Sequence, residues 1–493
     1  MTGLHGAGGM SYIGKDVRGA PIPGLHDISC PCIHHPVRWG IWPQDNPMTQ
    51  PVFDLCLKNG SVVLPDATVI TDVYVRDGRI ARIGGQGDAG RVIDCTGLTI
   101  LPGVIDTQVH FREPGLTGAE DLATGSMAAV MGGVTAVFEM PNTKPATDCP
   151  EAVVDKLDRA RGRMWCDHAF YVGATTDNAD RCGELEMLPG TAGIKIFMGS
   201  STGNLLVSDD AVLERVLRSG RRRVAIHAED EGRLHERLSE RKAGDPSSHP
   251  VWRDDETALR ATQRIVHLAR RTGRRIHVLH VTTPAELEFL SGHKDIASCE
   301  VTPQHLTLAG EEAYAELGTL AQMNPPIRGR EWRDGLWYWM GQRVPDIIGS
   351  DHAPHTLEAK QRAYPDSPSG MPGVQTLLPL MLDHVAHGRL SLRRVVDMTS
   401  AGPQRLFGLV NKGRIAVGYD ADFSVVDLAA RWTVQQEWLA SRCGWSPFVG
   451  RELTGRPIGT VIRGNVVMWE NQLAPTAQGE PLRFEATDRP REA

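Results

Sequence analysis

The stretch "LTILPGVIDTQVH" (residues 98–110) decides the fold. It is a short apolar run that ends in polar, ligand-type residues. The same design returns in "VTAVFEMP" (134–141), "DHAFYVGAT" (167–175), "GIKIFMG" (193–199), "RVAIHAE" (223–229), "RIHVLHV" (275–281), "IASCEVTP" (296–303) and "DIIGSDHA" (346–353). Helix-length amphipathic segments such as 151–163 and 254–272 lie between these runs. Alternating β and α units imply a parallel sheet, and eight of them imply a (β/α)8 TIM barrel in the α/β class. The barrel is expected over residues 101–405.

Outside that region the pattern changes. "FDLCLKNGSVV" and "TDVYVRDGRIARIG" alternate apolar and polar residues. Asn59-Gly60 and Asp77-Gly78 are dipeptides of the kind that close two-residue hairpins. Near the other end, 413–428 and 459–472 have the same antiparallel character. The economical arrangement is a small β-sandwich built from both chain ends, over 48–100 and 406–475. Residues 1–47 are rich in Gly, Pro, His and Cys without any period, and are expected to be a disordered extension ahead of Met48. Cys30, Cys32, His34 and His35 do not have the spacing of a structural zinc site. Residues 476–493 are expected to be a C-terminal tail.

Composition limits the function classes. A formal net charge of −7 gives no electrostatic reason to expect nucleic acid or an anionic membrane surface. No apolar run reaches the ~18 residues that span a bilayer, and no basic region followed by an apolar core marks a secretory signal. Nine scattered cysteines do not form a disulfide framework, and reduced thiols in a cytoplasmic protein are the expectation. A homo-oligomer is compatible with the sequence.

Polar residues at the strand ends carry the chemistry. His110, Lys195, His227, His280 and Asp351 end five different strands. That rim is where barrel enzymes build their sites. Gln108 and His110, two apart on one strand, face the same way.

The motifs "DTQVHFREPG" (106–115), "MPNT" (140–143), "KIFMGSSTGN" (195–204), "HAED" (227–230), "HVTTP" (280–284), "MNPPIR" (323–328) and "GSDHAPH" (349–355) resemble, in order, those of dihydroorotases of the amidohydrolase superfamily. The resemblance covers about residues 50–475. It implies a metal-dependent cyclic amidohydrolase acting in pyrimidine biosynthesis, with one or two Zn2+ ions. On this resemblance His110, Lys195, His227, His280 and Asp351 are the metal ligands. Lys195 is either N6-carboxylated or replaced by an acid in relatives, and Asp351 is also the catalytic proton shuttle. Gln108 stands where the family carries the first histidine of an H-x-H pair, and a neutral amide oxygen is a weaker zinc ligand than imidazole.

Arg112, Asn142 and His355 match residues that hold the substrate carboxylate in the family. Asn324 and the backbone of Ser369 and Gly370 match further substrate contacts. Hydantoin-, allantoin- and dihydropyrimidine-opening relatives typically lack this arginine. The competing reading of Arg112 is a structural ion pair with Glu113 or another rim acid. Gln304 in "TPQHL" leans slightly toward the hydantoinases. The alternatives are therefore an allantoinase- or dihydropyrimidinase-like enzyme, or an inactive dihydroorotase-like subunit that scaffolds aspartate carbamoyltransferase.

Overall fold

The computed structural model describes residues 52–200 and 205–488. The extension expected over 1–47 lies outside the described residues. Strands β1 (Phe53–Val63), β2 (Thr68–Arg76), β3 (Arg79–Ile83), β4 (Ala89–Asp94) and β5 (Thr99–Pro102) open the described chain. The Asp77-Gly78 pair closes the β2–β3 hairpin, with both residues at positive φ. Asn59-Gly60 does not turn the chain as expected. It lies inside β1 as a bulge, where the register to β2 shifts between Leu57 and Gly60. The cause is tertiary. A Cβ on Gly60 would sit 2.5 Å from Cδ1 of Ile100 on β5, so glycine lets the two strands close up.

The barrel follows. Its strands are β6 (Val104–Val109), β7 (Val134–Glu139), β8 (Asp167–Gly173), β9 (Thr191–Phe197), β10 (Val224–His227), β11 (Ile276–Val278), β12 (Ala297–Val301) and β13 (Ile347–Ile348). They are parallel and ordered as in the sequence. The stretch 98–110 is thus split, with Thr99–Pro102 in the first sheet and Val104–Val109 in the barrel.

The barrel is nearly closed. The seam between β6 and β13 is a single bridge from Val109 to His352, with the His110 N–H donating to His352 O at 2.7 Å. Beneath it, the buried Asp106 carboxylate accepts from the Ser350 N–H at 3.0 Å. Strands β14 (Phe423–Thr433), β15 (Glu452–Ile462), β16 (Asn465–Trp469) and β17 (Gln472–Leu473) return to the first sheet, where β14 pairs antiparallel with β5. Both ends of the described chain thereby build one nine-stranded sheet around a core that includes Leu57, Val73, Ile100, Phe423 and Val461.

The two helices anticipated over 151–163 and 254–272 form at Pro150–Ala160 and Asp255–Thr272. Asp254 caps the second, accepting from the Thr257 N–H, and Gly273 ends it in the left-handed conformation.

The segment expected as a tail packs against the barrel. Glu480 O accepts from the His168 N–H, and the Leu482 N–H donates back to His168 O. Buried Leu482 and Phe484 join Phe407 at the floor of the barrel core, where the Phe484 ring centroid lies 5.8 Å from that of Phe138. Among the described residues no helix is long and apolar enough to cross a membrane.

Candidate active site

One cavity opens at the C-terminal ends of the barrel strands. Gln108, His110, Arg112, Asn142, Lys195, Phe197, His227, His280, Asn324, Asp351, Ala353, Ser369 and Gly370 line it. Every site residue anticipated from the sequence is therefore gathered there except His355, which stands directly behind Arg112 with its Nε2 3.3 Å from the guanidinium. Arg112, His280 and Asp351 all hold positive φ, at 63°, 37° and 44°. Non-glycine residues rarely adopt this region, and it gathers at functional sites because the surrounding fold enforces it.

Asp351 is the hub of the site. Its Oδ1 accepts from Gln108 Nε2 at 3.0 Å and lies 3.3 Å from His110 Nε2. The other ring nitrogen of His110 contacts Asn142 Oδ1 at 2.7 Å, which fixes the imidazole plane. Across the cavity, His227 Nδ1 and His280 Nε2 are 3.0 Å apart. His227 Nε2 is held at 3.0 Å by Glu229 Oε2, which is in turn clamped by Arg253. Glu229 and Arg253 escape sequence reasoning because they are separated by 24 positions. The only local signal is the acid two residues after His227 in "HAED".

Burial sets the charges. It drives His110, His227 and His280 below the usual imidazole range, so all three are neutral and keep a lone pair. Burial also lowers Lys195 to about 7, although Asp351 and Glu300 oppose the shift. It raises Asp351 to about 6, against the pull of Lys195, His227, His305 and Arg112.

Among the described residues three buried polar atoms of the cavity's lining residues have no hydrogen-bond partner, Lys195 Nζ, Gln108 Oε1 and His280 Nδ1. Among the described residues no three His, Cys, Asp or Glu side chains are arranged by themselves to hold an ion. The donors come in two pairs, His227 with His280 and His110 with Asp351, and the orphaned lysine and amide oxygen belong to the same cavity. Neutral imidazoles, a carboxylate and an amine that burial lowers to about 7 are a donor set that fits a divalent cation.

Arg112 is 2% exposed. Its Nε donates to Pro354 O at 3.0 Å. The pairing with Glu113 does not occur, because both Glu113 oxygens are taken by Arg163 at 2.8 and 3.0 Å. Asn324 is steadied by His249, whose Nε2 lies 2.9 Å from Asn324 Oδ1. Gln304 does not reach the cavity wall, and its Nε2 donates to Ser350 O just before Asp351.

The amidohydrolase family matches residues 99–467, which span the barrel and most of the returning sheet. The chain belongs to the amidohydrolase family. It is 35% identical over 427 residues to a dihydroorotase of Methanothermobacter thermautotrophicus, covering 86% of this chain and 96% of that protein. It is 33% identical over 437 residues to an allantoinase of Salmonella newport, covering 84% and 95%. Among solved structures, the L-hydantoinase (dihydropyrimidinase) from Arthrobacter aurescens superposes with a TM-score of 0.83 at 29% identity, covering 87% of this chain and 99% of that one. This amidohydrolase is an enzyme of the hydrolase class, in a family where metal dependence is typical.

Proposed function

We propose that this amidohydrolase is a dihydroorotase. It reversibly hydrolyses the cyclic amide of (S)-dihydroorotate to N-carbamoyl-L-aspartate, a step of pyrimidine synthesis. One observation carries the reading. Arg112 is a buried guanidinium in the wall of the reaction cavity with no carboxylate in direct contact among the described residues, Asp351, Glu139 and Glu120 acting on it only from longer range. An unpaired buried cation is costly, and a substrate carboxylate relieves that cost with a bidentate pair. Dihydroorotate carries such a ring carboxylate, whereas allantoin, hydantoins and dihydropyrimidines do not.

The residues divide the work as follows. Arg112 receives the carboxylate, with His355 behind it and Asn142 and Asn324 on the cavity wall. The backbone of Ser369 and Gly370 meets the ring edge. His110, His227, His280, Asp351, Gln108 Oε1 and Lys195 would hold one or two zinc ions. Lys195, lowered by burial to about 7, has a neutral fraction near pH 7 that can add carbon dioxide as a carbamate and so become an anionic oxygen ligand. Bound zinc polarises the amide carbonyl and lowers the pKa of water. Asp351 takes a proton from the attacking water and returns it to the ring nitrogen as the carbon–nitrogen bond breaks. In the synthetic direction the same carboxylate moves the proton the other way.

A second reading has support of its own. Gln108 turns its amide N–H toward Asp351 and occupies one of its oxygens. That contact suits an inactive subunit that scaffolds aspartate carbamoyltransferase. The allantoinase and hydantoinase relatives keep a third reading open, a cyclic amidohydrolase of uncharged rings. Metal content and turnover of dihydroorotate, allantoin and dihydrouracil on one purified sample separate the three. Turnover of dihydroorotate above the other two supports the proposal. A metal-loaded protein that opens none of them overturns it in favour of the scaffold.

A further inference from the structure

A second cavity, of about 390 Å3, lies at the opposite end of the barrel, between the N-terminal strand ends and the sheet. Its charged residues are Arg343, Arg393, Arg394, Arg405, Arg414 and Asp397. Five guanidinium groups thus meet one carboxylate, in a protein whose formal net charge is −7. The carboxylate is already committed. Asp397 Oδ2 accepts from Arg394 at 2.7 Å, and its Oδ1 lies 2.8 Å from Arg405. Among the described residues Arg343, Arg393 and Arg414 have no carboxylate partner.

The cluster is built rather than scattered. Arg394, Asp397, Ala401 and Arg405 recur along one continuous helical run from Leu392 to Phe407, with a π turn at Asp397–Ala401. Such turns are rare and are often found at functional sites. Arg393 is anchored to Pro65 O and Arg394 to Pro345 O, so each lip of the cavity is pinned to the backbone of a different element. Arg394 Nε and Arg414 Nε are buried N–H donors without an acceptor among the described residues. Buried donors in native proteins almost always find a partner. Leu64, Pro65, Pro102 and Ile415 add apolar surface to the lining.

We propose that this cavity binds a small organic polyphosphate, its phosphates on the arginines and its organic part on the Leu64–Pro65 and Ile415 surface. Planar guanidinium forks match phosphate oxygens bidentately. The concave shape favours a compact ligand over an extended acidic peptide. The site joins the two strands at the seam from below, since Pro102 and Gly103 lead into β6 and Arg343 to Asp346 lead into β13.

The test is calorimetric titration of the full chain with inorganic triphosphate and with ATP, at constant ionic strength. Saturable binding to both is expected, tighter for ATP, and weakening with added salt. In the Arg343→Gln/Arg414→Gln double variant the affinity should fall by about tenfold or more for each arginine removed. Neither side chain hydrogen-bonds to another described residue, so the melting temperature without ligand should hold. Exposed Arg393→Gln is the fallback variant should the double variant fail to fold, with the same direction expected. Arg112→Met should leave this binding unchanged, which separates it from the active-site cavity. Heat no larger than that of sodium chloride at matched ionic strength overturns the proposal. So does ATP binding that survives the arginine variants, or binding of a polyglutamate peptide with no binding of triphosphate.

Discussion

Replacing Arg112 with methionine separates a substrate anchor from a structural cation. Methionine keeps the length and apolar volume of the stem and removes every donor. In the protein as it stands, Arg112 gives one hydrogen bond to Pro354 O and contacts His355 Nε2, leaving donors for the cavity. A hydrogen bond to a charged group contributes about 1.5–3 kcal/mol. At about 1.4 kcal/mol per decade, kcat/KM for dihydroorotate should fall by roughly tenfold to more than a hundredfold. The loss should be specific, because dihydrouracil has no carboxylate for Arg112 to meet and any weak activity on it should barely change. Stability should change little. Pro354 O loses its donor, at about 1–3 kcal/mol, while a buried cation without a carboxylate partner disappears with it. Arg112→Lys should recover only a fraction of the loss, since a point charge cannot reproduce the fork. The assay compares both substrates on all three proteins at matched metal loading. Equal losses on both substrates would make Arg112 structural. A wild-type preference for dihydrouracil or allantoin would remove the dihydroorotase assignment itself.

Four further outcomes are expected. Lys195→Ala should lose metal and turnover together, with partial recovery in high concentrations of a short carboxylic acid; full metal content in this variant, by elemental analysis, would refute a bridging role. Asp351→Asn keeps the shape but cannot take a proton, and stopped-assay rates should fall about a hundredfold or more. For Asp254, burial resists ionisation, but hydrogen bonds from Arg233 and Thr257 outweigh it and hold the carboxyl at about 2. Its folded value is depressed, so the stability it contributes is complete above the unfolded value near 3.8 and is lost as pH falls through about 2. The full shift corresponds to about 2.5 kcal/mol; screening at this partly exposed pair reduces that to about 1–2 kcal/mol, readable as a steeper acid limb in wild type than in Asp254→Asn. Phe484→Ala should cost about 3–5 kcal/mol in urea melts, because the ring is 1% exposed on the barrel floor; a loss under 1 kcal/mol would mean that the floor relaxes around the gap.

The sequence revealed most where chemistry coincides with a strand end. His110, Lys195, His227, His280 and Asp351 each close an apolar run, so topology alone sends them to one rim. Legibility failed where a local signal competes with a distant partner. Asn59-Gly60 has hairpin chemistry, yet the approach of Ile100 makes it a bulge. Glu229 and Arg253 meet only after the barrel closes. The arginine cavity draws on residues 343, 393–405 and 414, and no short motif contains it. The choice of Glu113 for Arg163 rather than Arg112 depends on the position of the helix Pro150–Ala160 and the loop after it, which spacing does not encode.

The barrel floor has a consequence for how the protein is made. Leu482 and Phe484 come near the end of the described chain, whereas the strands they support begin at Val104. Translation delivers residues in order, so every rim residue through Asp351 emerges before the side chains that fill the base of the same core. The opening sheet also waits, because β5 acquires its β14 neighbour only with Phe423. A nascent chain halted just after Gly370 therefore carries the complete chemistry in an unfinished container. Protease resistance of stalled ribosome complexes should rise in one late step, after Phe484 clears the exit tunnel, rather than unit by unit as each βα pair emerges.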